Sequence, residues 1–140
     1  MTRALVAAIL LAATPAAAQT TQTGRVVGIA DGDTITVLDT SKTQHRVRLA
    51  GIDAPERGQP GGRRSKESLS ALVYDQPVRV ESSKRDRFGR VVGKAWVASP
   101  DSPCRGKLDC PMALDAGLAQ ITMGRAWWFR KYADEQSPED

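Results

Sequence analysis

Three residues, Asp31-Gly32-Asp33, are all that separate two β-rich runs, Arg25-Val26-Val27-Gly28-Ile29-Ala30 and Thr34-Ile35-Thr36-Val37-Leu38. Asp-Gly accepts the unusual backbone angles of a tight reversal, so the two runs are expected to pair as an antiparallel hairpin. A third run, His45-Arg46-Val47-Arg48-Leu49-Ala50-Gly51-Ile52, alternates polar with apolar residues and reads as the next strand. Val47 and Leu49 would face the core, which sets Arg46 and Arg48 on the opposite face.

Two more strands are expected at Pro77–Glu81 and Val91–Val97, joined by the charged loop Ser82–Arg90. Between them and the first three, Ser65–Tyr74 carries Leu69, Leu72 and Val73 in the i, i+3, i+4 stripe of a packed helix. Leu114, Leu118 and Ile121 suggest a second helix ending at Gly124, and Gln19–Thr23 reads as a short polar leader. Five short strands with two helices, mainly β in an α+β arrangement, suit a small closed barrel of the oligonucleotide-binding type.

The ends carry different signals. Arg3, the apolar run Ala4–Ala13 and Ala16-Ala17-Ala18 make residues 1–18 a signal peptide, about half the length needed to span a bilayer. Residues 19–140 would then form one domain, secreted or periplasmic, with no membrane contact. At the other end, Ser137-Pro138-Glu139-Asp140 resembles a helix start, with Ser as N-cap and Pro at the first helical position. A third, C-terminal helix is therefore expected to be missing. Trp127, Trp128 and Phe129 cannot all face one way, and they are expected to anchor in the core.

The formal charge of +4 becomes about +3 without Arg3, a mild excess that mostly serves solubility. Its clustering in Arg46/Arg48, Arg57/Arg63/Arg64/Lys66 and Lys84/Arg85/Arg87/Arg90 could attract phosphates. Cys104 and Cys110 are the only cysteines, and their close spacing in an exported chain reads as a small-loop disulfide. A zinc site would need four ligands, and the one histidine, His45, lies far away in a strand and reads as a surface residue. The same shortage of histidine excludes histidine-dependent nucleases.

The chemistry is concentrated in Asp31-Gly32-Asp33-Thr34, Arg48-Leu49-Ala50-Gly51-Ile52-Asp53-Ala54-Pro55-Glu56 and Asp86-Arg87-Phe88-Gly89-Arg90. Asp33 begins the second strand and Asp53 ends the third, so antiparallel pairing would bring both carboxylates to one rim of the barrel. Two carboxylates that close repel unless a cation lies between them, and all-oxygen ligation points to calcium or magnesium. Arginines add planar, permanently charged forks for a phosphate. The combination points to phosphodiester hydrolysis.

Those three segments, in that order and with the Arg-x4-Asp-x-Pro-Glu spacing intact, resemble the signature of the staphylococcal (micrococcal) thermonuclease family. The resemblance covers about Arg25 to Tyr132. It implies an oligonucleotide-binding-fold barrel that hydrolyses DNA and RNA with one calcium ion and leaves 3′-phosphates. By motif position, Asp33 and Asp53 are similar to the calcium carboxylates, and Ala54 to the residue whose main-chain carbonyl completes the protein's share. Glu56 resembles the general base, and Arg48 and Arg90 the two phosphate-binding arginines. Asp31 matches a nearby supporting acid. Arg87 and Phe88 match positions that contact the nucleotide, with Phe88 either stacking on a base or packing under its own loop. The expected partners are DNA and RNA as substrates of a monomeric enzyme. The competing readings are a binding module with the same barrel, weakly active or inactive, and an adhesive exported protein with a basic surface.

Overall fold

The computed structural model describes residues 18–129. The leader through residue 17, Tyr132 and the helix-start signal Ser137–Asp140 lie outside the described residues, and so does the expectation about a third helix.

The chain forms β1 (Thr20–Asp31), β2 (Thr34–Asp39), β3 (Gln44–Leu49), β4 (Ile52–Asp53), α1 (Gly62–Val73), β5 (Pro77–Arg85), β6 (Val91–Val97), β7 (Leu114–Asp115), α2 (Ala116–Thr122) and β8 (Trp127–Trp128). β1, β2 and β3 form an antiparallel meander; β5 pairs with the other edge of β1, and β6 with β5. A parallel pairing of β3 with β6, Val47 opposite Val91, closes five strands into a barrel, as expected. β7 extends from β6, while β4 and β8 form a separate two-stranded ribbon.

Alternation decides what fills the barrel. Val26, Ile35, Val37, Val47, Val78, Val80 and Ala95 are fully buried, each separated by one residue from the next inward position on its strand or facing one across the barrel. α1 covers one opening with Leu69, Leu72 and Val73, the expected stripe, although it begins three residues earlier than the sequence suggested. Two elements are longer than expected. Thr20–Thr23 is no loose leader, because it pairs with Arg79–Ser82, and β5 runs on to Arg85 through a bulge between Ser82 and Lys84. Polar residues continue a strand wherever a partner ladder takes up their N–H and C=O groups.

Two expectations about packing are overturned. Leu118 is exposed on α2, and Leu114 belongs to β7; the large side chain that α2 buries fully is Gln120. Its amide donates to Gly32 O (3.0 Å) and Ser65 O (2.9 Å), and its Oε1 accepts from Ser68 (2.7 Å). Burial is tolerated because the amide is satisfied. Trp127 and Trp128, expected in the core, are 47% and 48% exposed on β8, which is a ribbon beside the barrel rather than a layer of it. The Cys104–Cys110 disulfide is present, with Cα atoms 5.3 Å apart. It closes a loop whose Arg105 donates to the carbonyls of Ala71 and Leu72 at the end of α1.

Candidate active site

The β1–β2 reversal sets the first carboxylate. Asp31 pairs with Thr34, leaving Gly32 and Asp33 at the tip, and Asp31 Oδ1 accepts the N–H of Asp33. A Cβ at Gly32 would collide with Ser65 of α1, so only glycine lets the turn sit on the helix. Asp33 is 7% exposed; its Oδ1 accepts from the Thr34 hydroxyl (2.8 Å) and its Oδ2 from Ala54 N–H (3.1 Å).

The second carboxylate arrives from the strand that follows. Gly51, at φ 73°, breaks the chain between β3 and β4 and turns it back past the hairpin tip. Asp53 Oδ1 then accepts from the same Ala54 N–H at 3.1 Å. Asp33 and Asp53 therefore converge on one main-chain donor. Asp53 does not end β3 as expected, however: it lies on β4, which pairs with β8, and the Gly51 turn rather than the β2–β3 pairing brings it there. Burial pushes the Asp33 carboxyl up to about 7, aided by the hydrogen bond and negative charge of Asp31 and opposed by Thr34 and Arg48. A site that resists holding its own negative charge is one a cation would relieve. The donors are hard oxygens, which fits calcium or magnesium. Among the described residues no three or more His, Cys, Asp or Glu side chains gather around one point. Asp33, Asp53 and a main-chain carbonyl such as that of Ala54 would thus make an open, partial shell, leaving positions for water and phosphate.

Arg48 pairs with Thr34 across β2 and β3. The alternation of β3 turns Arg46 outward, as expected, but Arg48 is only 6% exposed. The Gly51 turn folds main chain over it, and its guanidinium donates to Ile52 O (2.7 Å) and Leu49 O (3.2 Å). Arg90 lies just before Val91, whose partner is Val47, so the register places it on the same sheet face as Arg48. It is held by a carboxylate instead: Arg90 Nε meets Asp86 Oδ2 at 2.6 Å. Burial alone would raise Asp86, but the Arg90 guanidinium and the N–H groups of Arg90 and Phe88 hold it below the ordinary range.

Phe88 is 69% exposed and does not pack under its loop. Arg87 lies over its ring at 4.8 Å and Arg90 at 5.5 Å, a cation–π cluster that gathers the exposed ring with two guanidinium groups. Glu56 is exposed on the loop after β4. Its main chain is pinned by Gln59, which takes the Glu56 N–H at 2.8 Å, and by Gly62, where a Cβ would strike the Glu56 carbonyl.

Sequence reasoning missed the supports beneath these groups. Gln120 and Ser65 hold the hairpin tip from α2 and α1, and Trp127 pairs with Asp53 on β8. A glutamine inside an otherwise apolar helical face was the one signal for Gln120. His45, read as a surface residue, is half-buried with Nε2 2.7 Å from Asp39 Oδ2.

A family model described as "Staphylococcal nuclease homologue" matches residues 46–140. "Protein ParB" of Escherichia coli is 39% identical over 132 residues, covering 94% of this chain and 70% of that protein. The "Micrococcal nuclease" of Shigella flexneri is 38% identical over 117 residues, covering 78% and 59% respectively. The "Thermonuclease" of Staphylococcus hyicus is 33% identical over 84 residues, covering 54% and 49%. The chain thus spans between about half and 70% of the length of these relatives. The closed barrel, the paired carboxylates at the hairpin tip and the match over residues 46–140 agree: the chain belongs to the staphylococcal nuclease homologue family.

Proposed function

We propose that the chain is an exported, calcium-dependent nuclease that hydrolyses the phosphodiester bonds of DNA and RNA with little sugar specificity and leaves 3′-phosphates. The observation that carries this reading is the convergence of Asp33 and Asp53 on the Ala54 N–H beside the buried Arg48.

Asp33, Asp53 and the Ala54 carbonyl would hold the ion. When bound, calcium supplies positive charge that polarises a phosphoryl oxygen. Arg48 and Arg90 donate to the non-bridging oxygens, where negative charge grows as water adds to phosphorus. The Glu56 carboxylate takes the proton from the attacking water. The new bond is P–O from water, the broken bond is P–O5′, and the phosphate stays on the 3′ side. Asp31 supports Asp33 through its N–H, and Arg87 and Phe88 grip the neighbouring nucleotide. These donors address phosphate and a base face, and none is assigned to the 2′-hydroxyl that distinguishes RNA.

Export is supported by the Cys104–Cys110 bridge, which suits an oxidising compartment. The chain is read as a monomer. The test is cleavage of a single-stranded DNA oligonucleotide with calcium and with a chelator. Calcium-dependent cleavage leaving 3′-phosphate ends is expected; a folded protein that binds the strand without cutting would establish a binding module instead.

A further inference from the structure

The open end of the barrel, where β1 and β3 begin and β5 ends, carries a cavity of about 520 Å³ that the chemistry above does not use. Thr20, Gln22, His45 and Ser82 line it, with Lys84 and Arg85 at its rim. Barrel mouths of this size are common places for ligands. The lining holds two cations, an imidazole and several neutral donors, and no carboxylate. Asp39, beside His45, is occupied: it accepts from the N–H groups of Ser41 and Thr43 and from His45.

The mouth is also continuous with the site. Arg85 at the rim donates to Gly89 O (3.1 Å), in the loop that carries Phe88 and leads into Arg90. A strand leaving Arg90 along this loop would therefore meet a second zone of positive charge at Lys84 and Arg85.

We propose that this barrel mouth is a phosphate-binding subsite for the polynucleotide strand beyond the bond being cut, with Lys84 and Arg85 as its donors. The proposal rests on the nuclease reading for its substrate, but its geometry is separate from Asp33, Asp53 and Glu56. It makes the enzyme favour long strands over dinucleotides.

The test compares the full chain with Lys84→Ser/Arg85→Ser on a dinucleotide and a twelve-nucleotide single strand. The ratio of kcat/KM, long over short, is expected to fall about tenfold in the double variant. Binding of the same twelve-mer, followed by fluorescence anisotropy in chelator, should lose about 0.7 of its log–log salt slope for each phosphate contact removed. The swapped pair Lys84→Arg/Arg85→Lys should restore both readouts, which separates charge from folding. An equal loss at both lengths, or an unchanged slope, overturns the proposal. Inorganic phosphate competing as well as the strand would assign the mouth to free phosphate and overturn the strand assignment. If the parent chain cuts nothing yet the slope still drops, the subsite stands and the nuclease reading fails.

Discussion

Arg48 and Arg90 are assigned the same task but are held in opposite ways. Arg48 is buried and fixed by main-chain carbonyls of Leu49 and Ile52, beside a hairpin tip whose carboxylate is pushed up. Arg90 sits in the β5–β6 loop and is fixed by Asp86, a carboxylate held down. The first region is built by the fold itself; the second is a local cluster that a phosphate could reorganise. Neutral carbonyls take some of the Arg48 N–H groups without neutralising its charge, whereas the Asp86 carboxylate competes with a phosphate for both the donors and the charge of Arg90. The expected outcomes below separate a rigid half of the site from an adaptable half.

The largest effect should come from Glu56→Gln, which removes the proposed general base on an exposed loop. Turnover is expected to fall about 10²–10⁴-fold with the melting temperature unchanged. Near-normal turnover in single-turnover assays would remove Glu56 from that role. Next, Arg48→Lys should cost roughly 10²–10³-fold in kcat and also about 1–3 kcal/mol of stability, because a point charge cannot serve both carbonyls and a phosphate. Arg90→Lys should slow the reaction with little change in urea midpoint. Equal destabilisation by the two variants would break the contrast between the regions. Phe88→Ala should weaken strand binding by about 1–3 kcal/mol, read as KM, while leaving kcat on a saturating substrate within a few-fold.

The two carboxylates give the subtlest comparison, in opposite directions with pH. Asp33 has a raised folded pKa, about 7, so in chelator the folded state binds the extra proton. Stability should therefore decline as pH rises from roughly 4 to 7, and Asp33→Asn should flatten that decline. Asp86 has a lowered folded pKa, so its contribution is complete above roughly pH 4 and disappears as the pH falls below. Asp86→Asn should flatten only that acid limb. Urea midpoints across pH 3 to 8 distinguish the two, and a common profile would contradict the difference in environment.

Much of this was legible in the residues because period-two alternation and turn chemistry are local. Asp31-Gly32-Asp33 marked the hairpin, and Val47 and Leu49 marked the inward face, but the Gly51 turn and not strand pairing carries Asp53 to Asp33. What was not legible depended on where the chain goes next. Alternation turned Arg48 outward, but it could not show that Gly51 would fold main chain over the guanidinium. Hydrophobic counting chose Leu118 for the core of α2, yet a satisfied amide at Gln120 fits there and Leu118 does not. Three consecutive aromatics that cannot share one face suggested a core anchor at Trp127, while its pairing with Asp53 sets it on a ribbon outside.

The bond from Gln120 to Gly32 spans 88 positions of sequence. In folding terms, the turn that aims Asp33 is finished by an element made long after it. Early strands can pair locally, but loop-closure entropy delays the clamp until α2 has arrived and docked. Metal affinity should therefore emerge late and all at once, after the barrel has closed, rather than accumulate with the first hairpin. A chain stopped short of α2 would carry both carboxylates and still lack the geometry to use them.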